Sequence, residues 1–379
     1  MPGALSSASA SVSAPACPRA SARFARDVVC LAGLPFDPVD LQGAVDRLRE
    51  AVRTRTRCFV STPNLNFVMA ARRDAVFRDS VLRSDLSLAD GAPLVWMARA
   101  LGLSIPGRVA GADVFEALRR HPGEPIKVFF FGGPPGAAEA AYQRLSASTT
   151  GLRAVGFDAA GYGSVEDMST AAQLERINSS GAEFVVVSLG AAKGQAWIEH
   201  NAASLDAPLL CHMGAVVNFV AGRVKRAPRV LQELGLEWVW RIKEEPALWT
   251  RYLRDGIGFA GLVLRQAPFG ARGSHACDST EPWLECTQEP SSVSIRLGGG
   301  WSRSALAPLR VALARAAHGD RAVRVDMALV TAVDAWFLGL MLLARGSFGP
   351  GRFAVMSVPA SVRADFRRHG ADYLADAAP

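Results

Sequence analysis

The chain has 379 residues, half of them hydrophobic and one-fifth charged, so it is too long for one ordinary domain and apolar enough for a sizeable core. Lys and Arg number 42 against 35 Asp and Glu, a formal net charge of +7 that suits phosphorylated or anionic partners. Zinc-finger spacing and aromatic RNA-binding motifs are missing from the sequence, which argues against nucleic acid, and no apolar run approaches the roughly 20 residues that cross a bilayer.

In chain order, residues 1–26 are rich in Ala and Ser, lack a continuous apolar core and read as a disordered tail. From Val28 to about Arg265, short apolar runs alternate with helical patterns. Strands are expected at Cys58–Ser61, Ile126–Phe131, Leu152–Phe157, Phe184–Leu189 and Pro208–Met213. Helices are expected at Leu65–Arg72, Gly136–Ser146 and Ser169–Ser179. This alternation predicts an α/β fold over residues 27–222, a Rossmann-like, mainly parallel sheet with helices on both faces. Residues 223–267 form a basic appendage whose aromatics interleave with arginines. Residues 268–292, rich in Gly, Ser, Pro and acids, read as a linker. A small second α/β unit follows at 293–379, with strands at Val323–Met327 and Phe353–Val358 and helices at Phe337–Ala344 and Ser361–His369. The six cysteines (17, 30, 58, 211, 277, 286) show no close pairing and read as reduced thiols.

The residues that carry chemistry sit where strands end. Thr62, Asn64 and Asn66 follow the Cys58–Ser61 run and can position a small molecule or cap the next helix. Asp90-Gly91 is either a turn with a solvated carboxylate or a general base. Arg108 can pair with a diphosphate or form a surface ion pair, and Asp113 is expected to cap the helix after it. Gly132 and Gly133 lie between an apolar strand and a helix, where backbone amides can approach phosphate. The turn is not the GxGxxG dinucleotide fingerprint, which disfavours a nucleotide-dependent oxidoreductase. No Asp-x-Asp pair occurs and the histidines are scattered, so neither a metal nor another cofactor is expected. From Arg223 to Arg272 ten Lys or Arg face five Asp or Glu, a segment suited to an anionic membrane surface and a lipid diphosphate.

Several motifs in order resemble the WecG/TagA/CpsF family of bacterial glycosyltransferases over about residues 28–265. They are Thr62-x-Asn64, Asp90-Gly91, Arg108-Val109-x-Gly111-x-Asp113, the Gly132-Gly133 turn, Ala221-Gly222 through Arg226-Ala227-Pro228, Gly235-Leu236-Glu237-Trp238, and Glu245-Pro246 before Arg251-Tyr252. The resemblance implies an inverting, metal-independent transferase on the cytoplasmic membrane face. It would move a sugar of N-acetylmannosamine, uronic acid or glucose type from UDP to an undecaprenyl-diphosphate-linked acceptor in surface or exopolysaccharide assembly. Asp90 would be the base, Thr62 and Asn64 positioning groups, and Arg108 a stabiliser of the leaving UDP. Gly132 and Gly133 would belong to the nucleotide-sugar pocket, and Arg241, Arg251 and Arg254 would engage the lipid-linked acceptor. Two positions depart from the pattern. The motif's Gln falls on Gly194 and its Glu on Gln195, which is left as a candidate substrate contact, and Asn218 stands where an Asp is usual. These departures motivate an alternative, a non-catalytic scaffold that binds nucleotide or lipid and recruits a protein partner through its C-terminal unit. That unit resembles a STAS domain, with Asp334-Ala335-Trp336 where the phosphorylatable serine turn would be, so docking or dimerisation is its expected role.

Overall fold

The computed structural model of the chain describes residues 18–147, 151–233, 235–270 and 280–375. A hairpin of β1 (Val29–Leu31) and β2 (Leu34–Phe36) opens the main unit. Six strands then form one sheet: β3 (Cys58–Ser61), β4 (Leu86–Ser87), β5 (Ile126–Gly132), β6 (Leu152–Asp158), β7 (Phe184–Ser188) and β8 (Leu209–His212). Their spatial order is β4-β3-β8-β7-β5-β6, and every pairing is parallel. The runs Val128–Phe131 and Phe184–Val187 are apolar without interruption because both faces of a parallel sheet are covered. Alternate side chains divide accordingly. Val128 and Phe130 join one core, and Phe129 and Phe131 the other. In this unit the expected strands and helices appear within about two residues of their predicted ends, whereas in the second unit the Val323–Met327 strand extends to Val333 and the Phe337–Ala344 helix spans Ala335–Phe348.

The second unit is a four-stranded sheet of β9 (Trp283–Gln288), β10 (Ser292–Trp301), β11 (Ala322–Val333) and β12 (Phe353–Met356), in the order β12-β11-β10-β9. β9 runs antiparallel to β10, and the other pairs are parallel.

Two expectations change. The tail does not extend to residue 26, because Pro18–Ala25 is a helix with Phe24 wholly buried and Arg23 donating to the Leu82 and Arg83 carbonyls at 2.6 and 3.0 Å. Residues 1–17 of that expectation lie outside the described residues. The linker is shorter than expected at both ends. The Trp249–Gly270 helix runs into it, and β9 pairs with β10 by a full register of backbone hydrogen bonds that composition alone does not reveal. Residues 271–279 lie outside the described residues.

The two units share a core. The Ala335–Phe348 helix buries Phe337, Leu338 and Leu340 to Leu343, each contributing about 1.5–3 kcal/mol relative to exposure. It approaches the main unit through glycines. A Cβ on Gly339 would run into the Val28 carbonyl, and one on Gly346 into the Leu82 carbonyl. Beside them Arg345 donates from Nε and Nη2 to Asp79 at 3.0 and 3.2 Å, a buried bidentate pair between the units. Removing one member strands a buried charge. Arg345→Ala should therefore cost about 3–5 kcal/mol in chemical denaturation, and pairing Arg345→Met with Asp79→Leu should recover most of it.

Candidate active site

All six strands of the main sheet end on one edge, and the chain folds back over that edge. After β3, Asn64 accepts the Phe67 N–H at 3.2 Å and caps the Leu65–Ala71 helix. Thr62 is a buried residue, and its hydroxyl has no hydrogen-bond partner among the described residues and is not sealed from solvent. After β4 the backbone is stitched to this loop. Leu88 N–H donates to Ser61 O and Asp90 N–H to Pro63 O, both at 2.9 Å. Val109 N–H then donates to Ala89 O at 2.9 Å, bringing in the segment that carries Arg108. Gly91 has φ +143, and a Cβ there would lie 3.9 Å from Asn64 Cβ. A Cβ on Gly111, which opens the Gly111–Arg120 helix, would lie 3.4 Å from Thr62 Cγ2. Thr62, Asn64, Asp90 and Arg108 thus lie on neighbouring segments joined by these contacts.

Their electrostatics centre on Asp90. Burial pushes its carboxyl up to about 7, against the pull of the Arg108 guanidinium and the Gly111 amide, with Glu237 and Asp113 adding to the rise. Arg108 does not bond Asp90. It donates to Asp113 Oδ2 at 2.8 Å and to Glu237 Oε2 at 2.6 Å. Arg226 binds the other Asp113 oxygen. Asp113 is therefore a bridge between two arginines and not the expected cap, since the helix opens at Gly111 behind Ala110 with no side-chain cap. Glu237 and Arg226 escape a reading of single residues. Their signal is that both stand inside the ordered motifs of the appendage.

On the neighbouring strands, Gly132 and Gly133 take φ of +84 and +99 as β5 turns into the Ala137–Ser146 helix. A Cβ on Gly132 would press within 2.8 Å of Leu189 Cδ2, so the turn requires glycine. Asn218, in the Val216–Val220 helix after β8, has a buried Oδ1 without a partner among the described residues. Gln195 is not exposed at the edge. It is fully buried behind β3 and donates to Ser61 Oγ at 2.7 Å, so its helical phase makes it a support for the strand end. The Gly194 departure has a local cause. A Cβ there would run into the His212 ring, with Cγ at 2.9 Å.

The appendage folds over this edge. A Cβ on Gly235 would meet Ala92 and the Trp96 ring, the Asn66 amide donates to buried Asp255 at 3.0 Å, and Gly258 lies against Met69. Arg241 donates to Glu245 at 2.6 Å and lies 5.7 Å from the Phe219 ring. Arg251 and Arg254 are exposed on the Trp249–Gly270 helix. That helix also exposes Trp249, Leu253, Ile257 and Leu264, a stripe at helical spacing. Among the described residues no helix is long and apolar enough to cross a membrane.

Residues 29–273, more than half of the chain, match the sequence model described as the Glycosyl transferase WecG/TagA/CpsF family. The match spans the six-stranded sheet, the Asp90 site and the appendage, and stops before β9.

If Asp90 acts as a base, its ionised form is the active one, and with a carboxyl near 7 that form is lost as pH falls. In a pH profile kcat/KM should drop about tenfold per pH unit below an inflection near 7. Glu237→Gln removes a neighbouring negative charge and should move that inflection to lower pH.

Proposed function

Because this chain belongs to the WecG/TagA/CpsF glycosyltransferase family, which acts in cell-surface polysaccharide biosynthesis, we propose that it is an inverting, metal-independent transferase. Its donor is a UDP-sugar of N-acetylmannosamine, uronic acid or glucose type, and its acceptor is a sugar on undecaprenyl diphosphate. The observation that carries this reading is the half-buried Asp90 carboxyl beside Thr62, Asn64 and Arg108 at the carboxyl edge of a parallel sheet. Asp90 takes the proton of the acceptor hydroxyl as that oxygen attacks the anomeric carbon. The bond from that carbon to the β-phosphate oxygen breaks on the opposite face, and its electron pair leaves with UDP. Arg108 and the backbone amides of the Gly132-Gly133 turn meet the charge that develops there. For Arg108 to do so, the diphosphate must share or displace the Asp113 and Glu237 carboxylates that hold it.

The appendage supports a peripheral position on the inner face of the cell membrane. Its exposed stripe (Trp249, Leu253, Ile257, Leu264) suits the acyl boundary, and Arg251 and Arg254 suit lipid phosphate. In this reading Arg241, beside Phe219, faces the diphosphate of the acceptor.

A STAS-like character of the second unit is part of the same proposal. The sheet order β12-β11-β10-β9 and the Asp334 cap of the Ala335–Phe348 helix, accepting Trp336 and Phe337 amides at 3.0 and 2.8 Å, support it. That helix is already packed on the main unit, so a protein partner would dock elsewhere on the second unit.

The scaffold alternative rests on Asn218, whose amide stands where the family's carboxylate is usual. UDP release from a panel of UDP-sugars with a lipid-linked acceptor separates the two. The transferase reading expects turnover in the wild type, and a loss of about 10²–10⁴-fold in kcat for Asp90→Asn with the thermal midpoint retained. Binding without turnover in the wild type supports the scaffold, and an unimpaired Asp90→Asn enzyme contradicts the mechanism.

A further inference from the structure

His212 is the last residue of β8, the strand between β3 and β7, and it stands at the edge where the donor sugar and acceptor are proposed to meet. The ring is 8% exposed and wedged between Leu189, Gly194 and Gly214. Its Nε2 lies 2.6 Å from the Leu189 carbonyl. A carbonyl only accepts, so Nε2 carries the proton, and burial favours the neutral ring. Nδ1 is then a lone-pair acceptor. Among the described residues it has no hydrogen-bond partner, and it is not one of the polar atoms sealed from solvent.

The Gly194 departure falls on the same spot. The imidazole fills the room that a side chain at 194 would need, so a polar group from a strand end has replaced one from a helix. We propose that His212 is a donor-specificity residue, its Nδ1 accepting a hydrogen bond from a hydroxyl or amide N–H of the sugar on the nucleotide donor. This inference rests on the transferase reading above and adds the group that distinguishes one sugar from another.

The test uses the full chain and calorimetric binding of UDP and of UDP-glucose, UDP-glucuronate, UDP-N-acetylglucosamine and UDP-N-acetylmannosamine. His212→Phe keeps a ring against Gly194 and removes Nδ1. It should bind UDP as the wild type does and lose about tenfold for the preferred UDP-sugar. His212→Asn returns an acceptor near the Nδ1 position and should stay within about threefold of wild type. His212→Gln keeps a donor for the Leu189 carbonyl without that acceptor, and carries the test if the Phe variant does not fold. Unchanged UDP-sugar binding in both the Phe and Gln variants, or an equal loss for UDP and UDP-sugar, overturns the role of His212 and leaves the transferase reading standing. A wild-type protein that binds no UDP-sugar overturns both.

Discussion

The carboxyl edge of the main sheet is held by backbone hydrogen bonds, and the rest of the site depends on them. Pro63 O takes the Asp90 amide, and Ala89 O takes the Val109 amide. These two bonds fix the backbone that carries Asp90, whose carboxyl has no side-chain hydrogen-bond partner among the described residues. With two guanidinium groups, Arg108 and Arg226, and two further carboxylates, Asp113 and Glu237, it makes a group of five charges. With all five ionised the group carries one excess negative charge. One proton removes the excess, and Asp90 is the member pushed to about 7. A base poised there is half ionised at neutral pH, close to the best compromise between being unprotonated and being basic enough to matter.

The same cluster ties the appendage to the sheet. Arg226 and Glu237 come from the appendage, Arg108 and Asp113 from the main unit, so the charge balance around Asp90 exists only with the appendage in place. Asn66 and Asp255 make a second tie on the far side of the Thr62–Asn64 loop. The appendage therefore completes the site while presenting its apolar stripe outward. The second unit acts from behind. Its long buried helix packs on β1, β2 and the Ala75–Arg83 helix, so the four-stranded sheet is built into the molecule and not hung from it.

Much of this fold is legible in the sequence where apolar runs are long and uninterrupted. β5, β7 and β8 announce themselves because a doubly covered parallel strand needs no polar alternation. β4, with two residues, is too short to register, and β1 and β2 read as one apolar run until Gly33 at φ +80 is seen to turn them into a hairpin. β10 hides behind three glycines, of which Gly298 is covered by the Trp283 ring and Gly299 takes φ +76. Of the site, Thr62, Asn64, Asp90 and Arg108 are legible because strand ends and motif order place them together. The Arg108–Glu237 pair joins residues 129 apart, which no local pattern can foretell. Gln195 is misjudged for a simpler reason. Its place in the motif says nothing of helical phase, and phase turns it inward. Asn64 spends its Oδ1 on the helix, and its amide has no partner among the described residues, so a cap is compatible with the substrate-positioning role proposed for it.

The ionisation of Asp90 is the point at which this account is most exposed. Carbon-13 NMR of the side-chain carboxyls in the full-length protein, with Asp90 assigned by comparison with Asp90→Asn, follows that one group through pH. The account predicts a carboxyl that gains its proton near 7. An Asp90 that titrates near 4, as an ordinary solvated aspartate does, would mean that the crowded, charge-balanced pocket does not exist in solution.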